Sequence, residues 1–419
     1  MHAFTLVFLA AVALGLALRL WLAARQIGHV LDHRTRVPAD FVSSIPLEAH
    51  QRAADYTVAR VRFSRLEIVF ETLILLGWTL GGGLDLVDRL WRASGWSPLL
   101  AGTATVLSVI VIGALLDQPF ALWRTFVIEA RHGFNRTRPA TYLGDLLLQA
   151  LLLLMLGVPL LLLILWLMGR TGSVWWLYVW LVWTGFSLLM AWAFPRFIAP
   201  LFNRFEPLEE GPLRARVEAL LERTGFRSRG IYVMDGSKRS GHGNAYFTGL
   251  GRNKRIVFFD TLIDKLEPEE IEAVLAHELG HYRHRHVQKA MWLMSALSLA
   301  GLALLAWLMQ QPWFYAGLGV STPSTHMALL LFLIALPSFA FPLTPLFSWR
   351  SRKQEFEADA FAHLQTGGAT PLVHALVKLY RDNASTLTPD PLHSAYYDSH
   401  PPASIRVEHL HRLDAADSR

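Results

Sequence analysis

The run Ala276-His277-Glu278-Leu279-Gly280-His281 carries the pattern H-E-x-x-H. On a helix, the i, i+4 spacing sets His277 and His281 on one face, where two imidazoles can share a metal ion. Glu278 follows the first of them and is within reach of a water at that ion. Neutral imidazoles suit Zn²⁺, and a catalytic zinc site keeps one position open. There the ion lowers the pKa of water towards neutrality, and a neighbouring carboxylate takes the proton. Two histidines leave such a site one protein ligand short, and a His₂Glu set needs a carboxylate from elsewhere. Candidates lie in Ser351-Arg352-Lys353-Gln354-Glu355-Phe356-Glu357-Ala358-Asp359. Glu355 and Asp359 are i, i+4 and share a face, whereas Glu357 points elsewhere. One of the pair can bind the ion while the other orients a ligand histidine from behind. Spacing does not decide which.

The elements that must position these groups are of two kinds. The metal-motif helix starts near Pro268, with Glu269 and Glu270 complementing its dipole and Ile271, Val274 and Leu275 ahead of the histidines. Upstream, Leu213–Thr224 has helical period, and Gly230–Met234, Asn244–Thr248 and Arg255–Phe259 are short β-type runs bounded by turn residues. The rest is far more apolar. The chain has 419 residues, 53% hydrophobic and 17% charged, against about a quarter charged in an ordinary soluble protein. Residues 93–116, 146–169, 171–195 and 290–349 contain no Asp, Glu, Lys or Arg. A transmembrane helix needs about 20 apolar residues, so the chain reads as a polytopic membrane protein. Seven spans are expected, near 3–23, 66–84, 97–117, 144–169, 173–195, 288–310 and 325–347. The second carries Glu71 inside it.

Basic loops alternate with loops poor in Lys and Arg. Loops 25–65 and 118–143, segment 196–287 and the tail after 350 are basic; the turns between them are not. The positive-inside rule then sets the N-terminus outside and the C-terminus inside. It also explains the net charge of +6 without a nucleic-acid partner. Residues 201–287 and 350–419 fall on the same side and can form one catalytic domain. That domain is interrupted by two spans in 288–349 and preceded by a five-span region in 1–200. The absence of cysteine excludes disulfides, thiolate metal sites and a cysteine nucleophile.

The motifs in order resemble the type I CAAX prenyl proteases, integral-membrane zinc metallopeptidases, over nearly the whole chain. Phe126-Val127-Ile128-Glu129-Ala130-Arg131-His132-Gly133-Phe134-Asn135 is similar to a signature of that family ahead of its fourth span. Asn244-Ala245-Tyr246-Phe247 and Lys254-Arg255-Ile256-Val257-Phe258-Phe259-Asp260-Thr261-Leu262 resemble its strand pair. Leu275 to His281, Ser351 to Asp359, and Ser399-His400-Pro401-Pro402 with Arg406 match its two metal motifs and its C-terminal motif. The resemblance implies one Zn²⁺ per chain on His277, His281 and Glu355, with Glu278 as general base and then acid. It implies Asp359 as support behind a ligand and His400 as a donor to the tetrahedral oxyanion. Arg406 would bind substrate near the cut, and Asn244, Ala245, Tyr246 and Phe247 would pair with an extended peptide. The implied fold is mainly α, about seven membrane helices enclosing an intramembrane chamber, with a small α/β zincin-like catalytic domain.

The expected substrate is a peptide or protein cut near its C-terminus, with or without a prenyl group, in a site bordered by membrane lipid. In the family the typical cut removes the last three residues. Two other readings stay open: an HtpX-like quality-control protease, disfavoured by the five-span N-terminal region, and a non-catalytic membrane scaffold with structural zinc, for which Glu278 would be superfluous. His284 and His286 match no ligand position and are expected to face the membrane surface or solvent. The Leu-, Ala- and Arg-rich composition and short loops point to a bacterial inner membrane.

Overall fold

A computed structural model of the chain describes residues 2–248 and 254–417. Its N-terminal part runs through α1 (Ala3–Asp32), α2 (Leu47–Trp78), α3 (Gly83–Arg92), α4 (Pro98–Glu129), α5 (Pro139–Arg170) and α6 (Gly172–Phe202). Of these, α1, α4, α5 and α6 are each long and apolar enough to cross a membrane. The expected second span is a broken one: α2 and α3 meet at a bend of 47°. Gly81-Gly82-Gly83 sits at the break, and Gly82 has φ +76°, a left-handed conformation that ends a helix at no steric cost to glycine. Glu71, inside that span, pairs with Arg19 of α1 at 2.9 Å, so its charge meets a partner on the neighbouring helix. Large side chains such as Leu73, Leu147, Leu181 and Trp183 are exposed on these helices, as a surface solvated by lipid requires.

The polar part starts with β1 (Phe205–Pro207), α7 (Pro212–Arg223), β2 (Ile231–Met234), β3 (Ala245–Thr248) and β4 (Arg255–Phe259). The strands form one sheet of order β1-β2-β4-β3. β2 and β4 are parallel, with Ile231 opposite Ile256, and β3 runs antiparallel to β4, with Ala245 opposite Phe258. β3 is therefore an edge strand. Three of the four strands are legible in the sequence; β1 is three residues ending in proline and has no alternation to read.

The metal-motif helix α8 (Pro268–Arg283) is capped by Glu267 and Glu270 in a reciprocal capping box, which satisfies two of its first amide groups. α9 (His286–Leu308) and α10 (Thr325–Thr366) are the last two membrane-capable helices. α10 does not stop where its apolar stretch ends but continues through the acidic cluster. The chain closes with α11 (Thr370–Asp382) and α12 (Ala403–Asp417). Ile256, Phe258, Leu262, Ile271, Leu275 and Leu279 pack with Ala362, Leu372, Leu376, Val407 and Leu410 in one apolar core. Each of the larger buried side chains contributes about 1.5–3 kcal/mol. This core joins the segments before and after the last two spans.

Candidate metal centre

The site depends on how closely α8 and α10 approach. A Cβ on Gly280 would lie 2.8 Å from the Cα of Ala358, so the missing side chain is what lets the two backbones touch. That contact brings three donors together. His277 Nε2 and His281 Nε2 are 3.2 Å apart. Glu355 Oε2 lies 3.4 Å from the first, and Glu355 Oε1 lies 3.2 Å from the second. Donors about 2.0–2.1 Å from an ion at tetrahedral angles sit roughly 3.3 Å from one another. Among the described residues this is the cluster whose donors converge so as to hold a metal ion. Glu355 is buried, yet its Oε2 accepts no hydrogen bond, a state that costs free energy unless a cation satisfies it. Burial opposes a charge on His277, but contacts with Asp359 and Glu355 outweigh it and raise its pKa to about 9. The same surplus of carboxylate charge suits a divalent ion. The residues present fit the metal that the sequence implies.

Each histidine is held through its second ring nitrogen. His277 Nδ1 lies 2.8 Å from Asp359 Oδ1. Asp359 is wholly buried and takes both arms of the Arg406 guanidinium, with Nε donating to Oδ2 at 2.9 Å. Arg406, expected to meet substrate, is itself buried behind the ligands, with Nη1 3.6 Å from Glu355 Oε2. Burial works against its charge, but Asp359 and then Glu355 raise its pKa further. The reason for this placement is Asp359: a buried carboxylate needs a counter-charge in contact.

His281 is held differently. Its Nδ1 is 3.0 Å from Nδ1 of His286, and His286 Nε2 is 2.9 Å from Glu357 Oε2. With His281 Nε2 turned to the ion, its Nδ1–H donates to His286, and His286 Nε2–H donates to Glu357. His286 is 3% exposed, which corrects the expectation that it faces solvent or the membrane surface. Arg285 explains the change. Its φ of +57° breaks the helical path between α8 and α9 and folds His286 back under His281. Glu357 stays off the ligand face, as its spacing requires, but meets a partner that arrives from α9.

Glu278, on α8 beside the first ligand, is half-buried. Burial is the main influence on its carboxyl and raises its pKa against the lowering effect of both histidines. His400 is exposed and brings Nε2 to 3.5 Å from Glu355 Oε1, with Nδ1 3.0 Å from Ser399 Oγ. It lines a cavity of about 700 Å³ together with Arg19, Tyr56, Arg60 and Tyr380. Desolvation by the protein packed around the ring lowers its pKa, against the raising effect of Glu355. Asn244 is exposed at the start of the edge strand; its Oδ1 accepts from the amide of Ala245. The Phe126–Asn135 signature reaches the segment just ahead of this strand, and α2. Phe134 stacks on His242 with ring centres 4.3 Å apart, and Glu129 accepts from Tyr56 Oη at 2.6 Å.

Comparison with known proteins gives the same picture from outside the geometry. Residues 26–204 match the family model described as CAAX prenyl protease N-terminal, five membrane helices. Residues 207–414 match peptidase family M48. The chain is 34% identical to the CAAX prenyl protease 1 homolog of Oryza sativa subsp. japonica, covering 91% of each chain. It is 31% identical to CAAX prenyl protease 1 of Saccharomyces cerevisiae, covering 90% of this chain and 88% of that one. The crystal structure of S. mikatae Ste24p superposes with a TM-score of 0.89 at 28% identity, over 98% of this chain and 99% of the other.

Proposed function

The chain belongs to the M48 metallopeptidases of the CAAX prenyl protease type, and on that premise we propose that His277, His281 and Glu355 hold Zn²⁺ for the hydrolysis of peptide bonds near the C-terminus of a substrate. The enzyme is a multi-pass membrane metalloprotease. The observation that carries the zinc assignment is the set of three donors at 3.2–3.4 Å, with Glu278 on the helix of the two histidines.

The peptide adds as a strand along the free edge of β3, from Ala245 to Phe247, where backbone pairing gives affinity with little sequence preference. When bound, the ion supplies Lewis-acid polarisation to the scissile carbonyl. The Glu278 carboxylate takes a proton from the attacking water, which forms a C–O bond at the carbonyl carbon. It then gives that proton to the amide nitrogen as the C–N bond breaks. His400 donates Nε2–H to the oxygen that gains negative charge, a contribution of a few kcal/mol for a well-aimed donor. Asp359, Arg406, His286 and Glu357 fix the ligand rings and touch no substrate.

We assign the substrate as a C-terminal CAAX-type peptide that a prenyl group is free to accompany, since the cavity beside His400 is walled partly by membrane helices. The chain divides into membrane segments 1–200 and 288–349 and catalytic segments 201–287 and 350–419, with the catalytic part on the cytoplasmic side of a bacterial inner membrane and lipid around the spans. Reporters fused after Gly319 and at the C-terminus test the orientation; an external C-terminus overturns it. Cleavage of farnesylated and unmodified CAAX peptides by purified protein tests the activity. Removal of the last three residues that disappears with chelator and in Glu278→Gln supports the reading. Bound zinc with neither peptide cut refutes it.

A further inference from the structure

The edge of β3 is open at Ala245 and Phe247 and closed one position earlier. The amide of Phe259 donates to the carbonyl of Asn244 at 3.0 Å, and Ala245 stands opposite Phe258. In an antiparallel pair, residues bonded to the neighbour alternate with residues that face away. Asn244 and Tyr246 therefore turn to β4, whereas Ala245 and Phe247 present N–H and C=O to the free edge. Upstream of Asn244 the ladder ends, and the carbonyl of His242 accepts instead from the side-chain Oγ1 of Thr261 at 2.9 Å, on the short helix Asp260–Ile263 that follows β4. Gly243, just ahead of the strand, has both of its backbone groups engaged away from β4. Its N–H donates to Asn383 Oδ1 at 3.1 Å, and Asn383 Nδ2 donates to its carbonyl at 3.5 Å.

The Asn383 carboxamide thus stands where the next residue of an added strand would pair. It is fixed in place just past the end of α11, with its own amide donating to the carbonyl of Leu379 at 2.9 Å. It lines the 700 Å³ cavity with His400, and also a second cavity of about 540 Å³ with Arg60, Glu129 and His242. The Gly243 side of the contact is held as well. Gly241 donates to the carbonyl of Phe134 at 3.0 Å and accepts from Lys265 Nζ at 2.8 Å.

We propose that Asn383 is the end-stop of the substrate strand and thereby a determinant of how far from the C-terminus the enzyme cuts. This rests on the reading of β3 as the substrate-binding edge. Antiparallel pairing is the more stable arrangement, and it runs the segment beyond the cut from Ala245 towards Gly243. At Gly243 that segment loses its strand partner and has to turn into the cavity beside Tyr380 and His400. A tail of three residues, at most about 10 Å long, ends there. A longer tail has to bend and also find a way out.

The test compares kcat/KM of the purified full chain on peptides identical up to the cut and carrying either three residues or a much longer tail beyond it. The wild type favours the short tail. Asn383→Gly reduces that preference by about fivefold, the weight of roughly one hydrogen-bonded pairing position. Asn383→Asp, which still accepts from the Gly243 amide, keeps most of it. Equal rates on both tails in the wild type overturn the proposal without any variant. So does an unchanged ratio in Asn383→Gly, or a change confined to peptides lengthened on the N-terminal side of the cut. If the wild type cuts neither peptide, the functional reading falls and the end-stop with it. If the short tail is cut and only the ratio fails, the end-stop alone falls.

Discussion

In the proposed metal site His277 and His281 turn the same nitrogen, Nε2, towards Glu355 but are braced in opposite ways. Behind His277 stands a single buried carboxylate, Asp359, closed off by Arg406. Behind His281 stands a second imidazole, His286, and only then a carboxylate, Glu357, which is 38% exposed. Both carboxylates come from α10, two residues apart and on either side of its axis, so one helix supplies Glu355 and both supporting carboxylates, while His286 comes from α9. The difference lies in what happens when a part is removed. The first support is a buried ion pair, where loss of one partner leaves a charge in the core. The second is a relay that ends near water, where loss of a part leaves solvent to substitute.

The largest effect is therefore expected at Arg406. Arg406→Met strands the Asp359 carboxylate, and breaking a buried pair costs about 3–5 kcal/mol. Thermal unfolding of the detergent-solubilised protein should show a clear fall in midpoint. A second change, Asp359→Asn, removes the stranded charge and should recover much of the loss. An unchanged midpoint in Arg406→Met would mean that the pair is not closed off from water, and the contrast between the two supports would go with it.

His286→Phe comes next. The ring volume is kept, but His281 Nδ1–H loses its acceptor. Partners behind a ligand histidine are typically worth about 10–100-fold in metal affinity. Competition with a chromophoric chelator should show a loss in that range, while the unfolding midpoint falls less than in Arg406→Met. Full retention of zinc affinity would reduce His286 to packing.

These two supports also mark where the sequence is readable. His277, His281, Glu355 and Asp359 are legible because i, i+4 spacing on a helix is a distance, and both pairs lie within single helices. The strands around Ala245 and Arg255 are legible from their residue types and flanking turns. His286 is not, because five residues past His281 an unbroken helix would carry it off the ligand face. Only the left-handed backbone at Arg285 brings it back, and no residue type there announces it. Arg406 is legible as part of a motif, but its role follows from a contact with Asp359 across 47 positions, which local pattern does not contain. The pairing of Asn383 with Gly243 is hidden for the same reason. The break at Thr79–Gly82 is the reverse case: three consecutive glycines mark it, but the apolar run through them reads as one span.

The smallest effect is expected at Glu357, and its salt dependence is the sharper measurement. Its oxygen is bonded to His286 Nε2 at 2.9 Å, but the side chain is partly in water, where ion pairs contribute about 0–1 kcal/mol. Glu357→Gln keeps an oxygen that accepts from His286 and loses only the charge. Zinc affinity should fall by less than about fivefold at low ionic strength. The gap to wild type should narrow as salt screens the Glu357 charge over distances of about 10 Å at 0.1 M. Asp359→Asn offers the internal reference, because Asp359 is fully buried and salt cannot reach between it and His277. Its loss should be larger and flat with ionic strength. A salt-insensitive Glu357→Gln, with a loss matching that of Asp359→Asn, would show that the relay carries charge to His281 as effectively as direct contact carries it to His277.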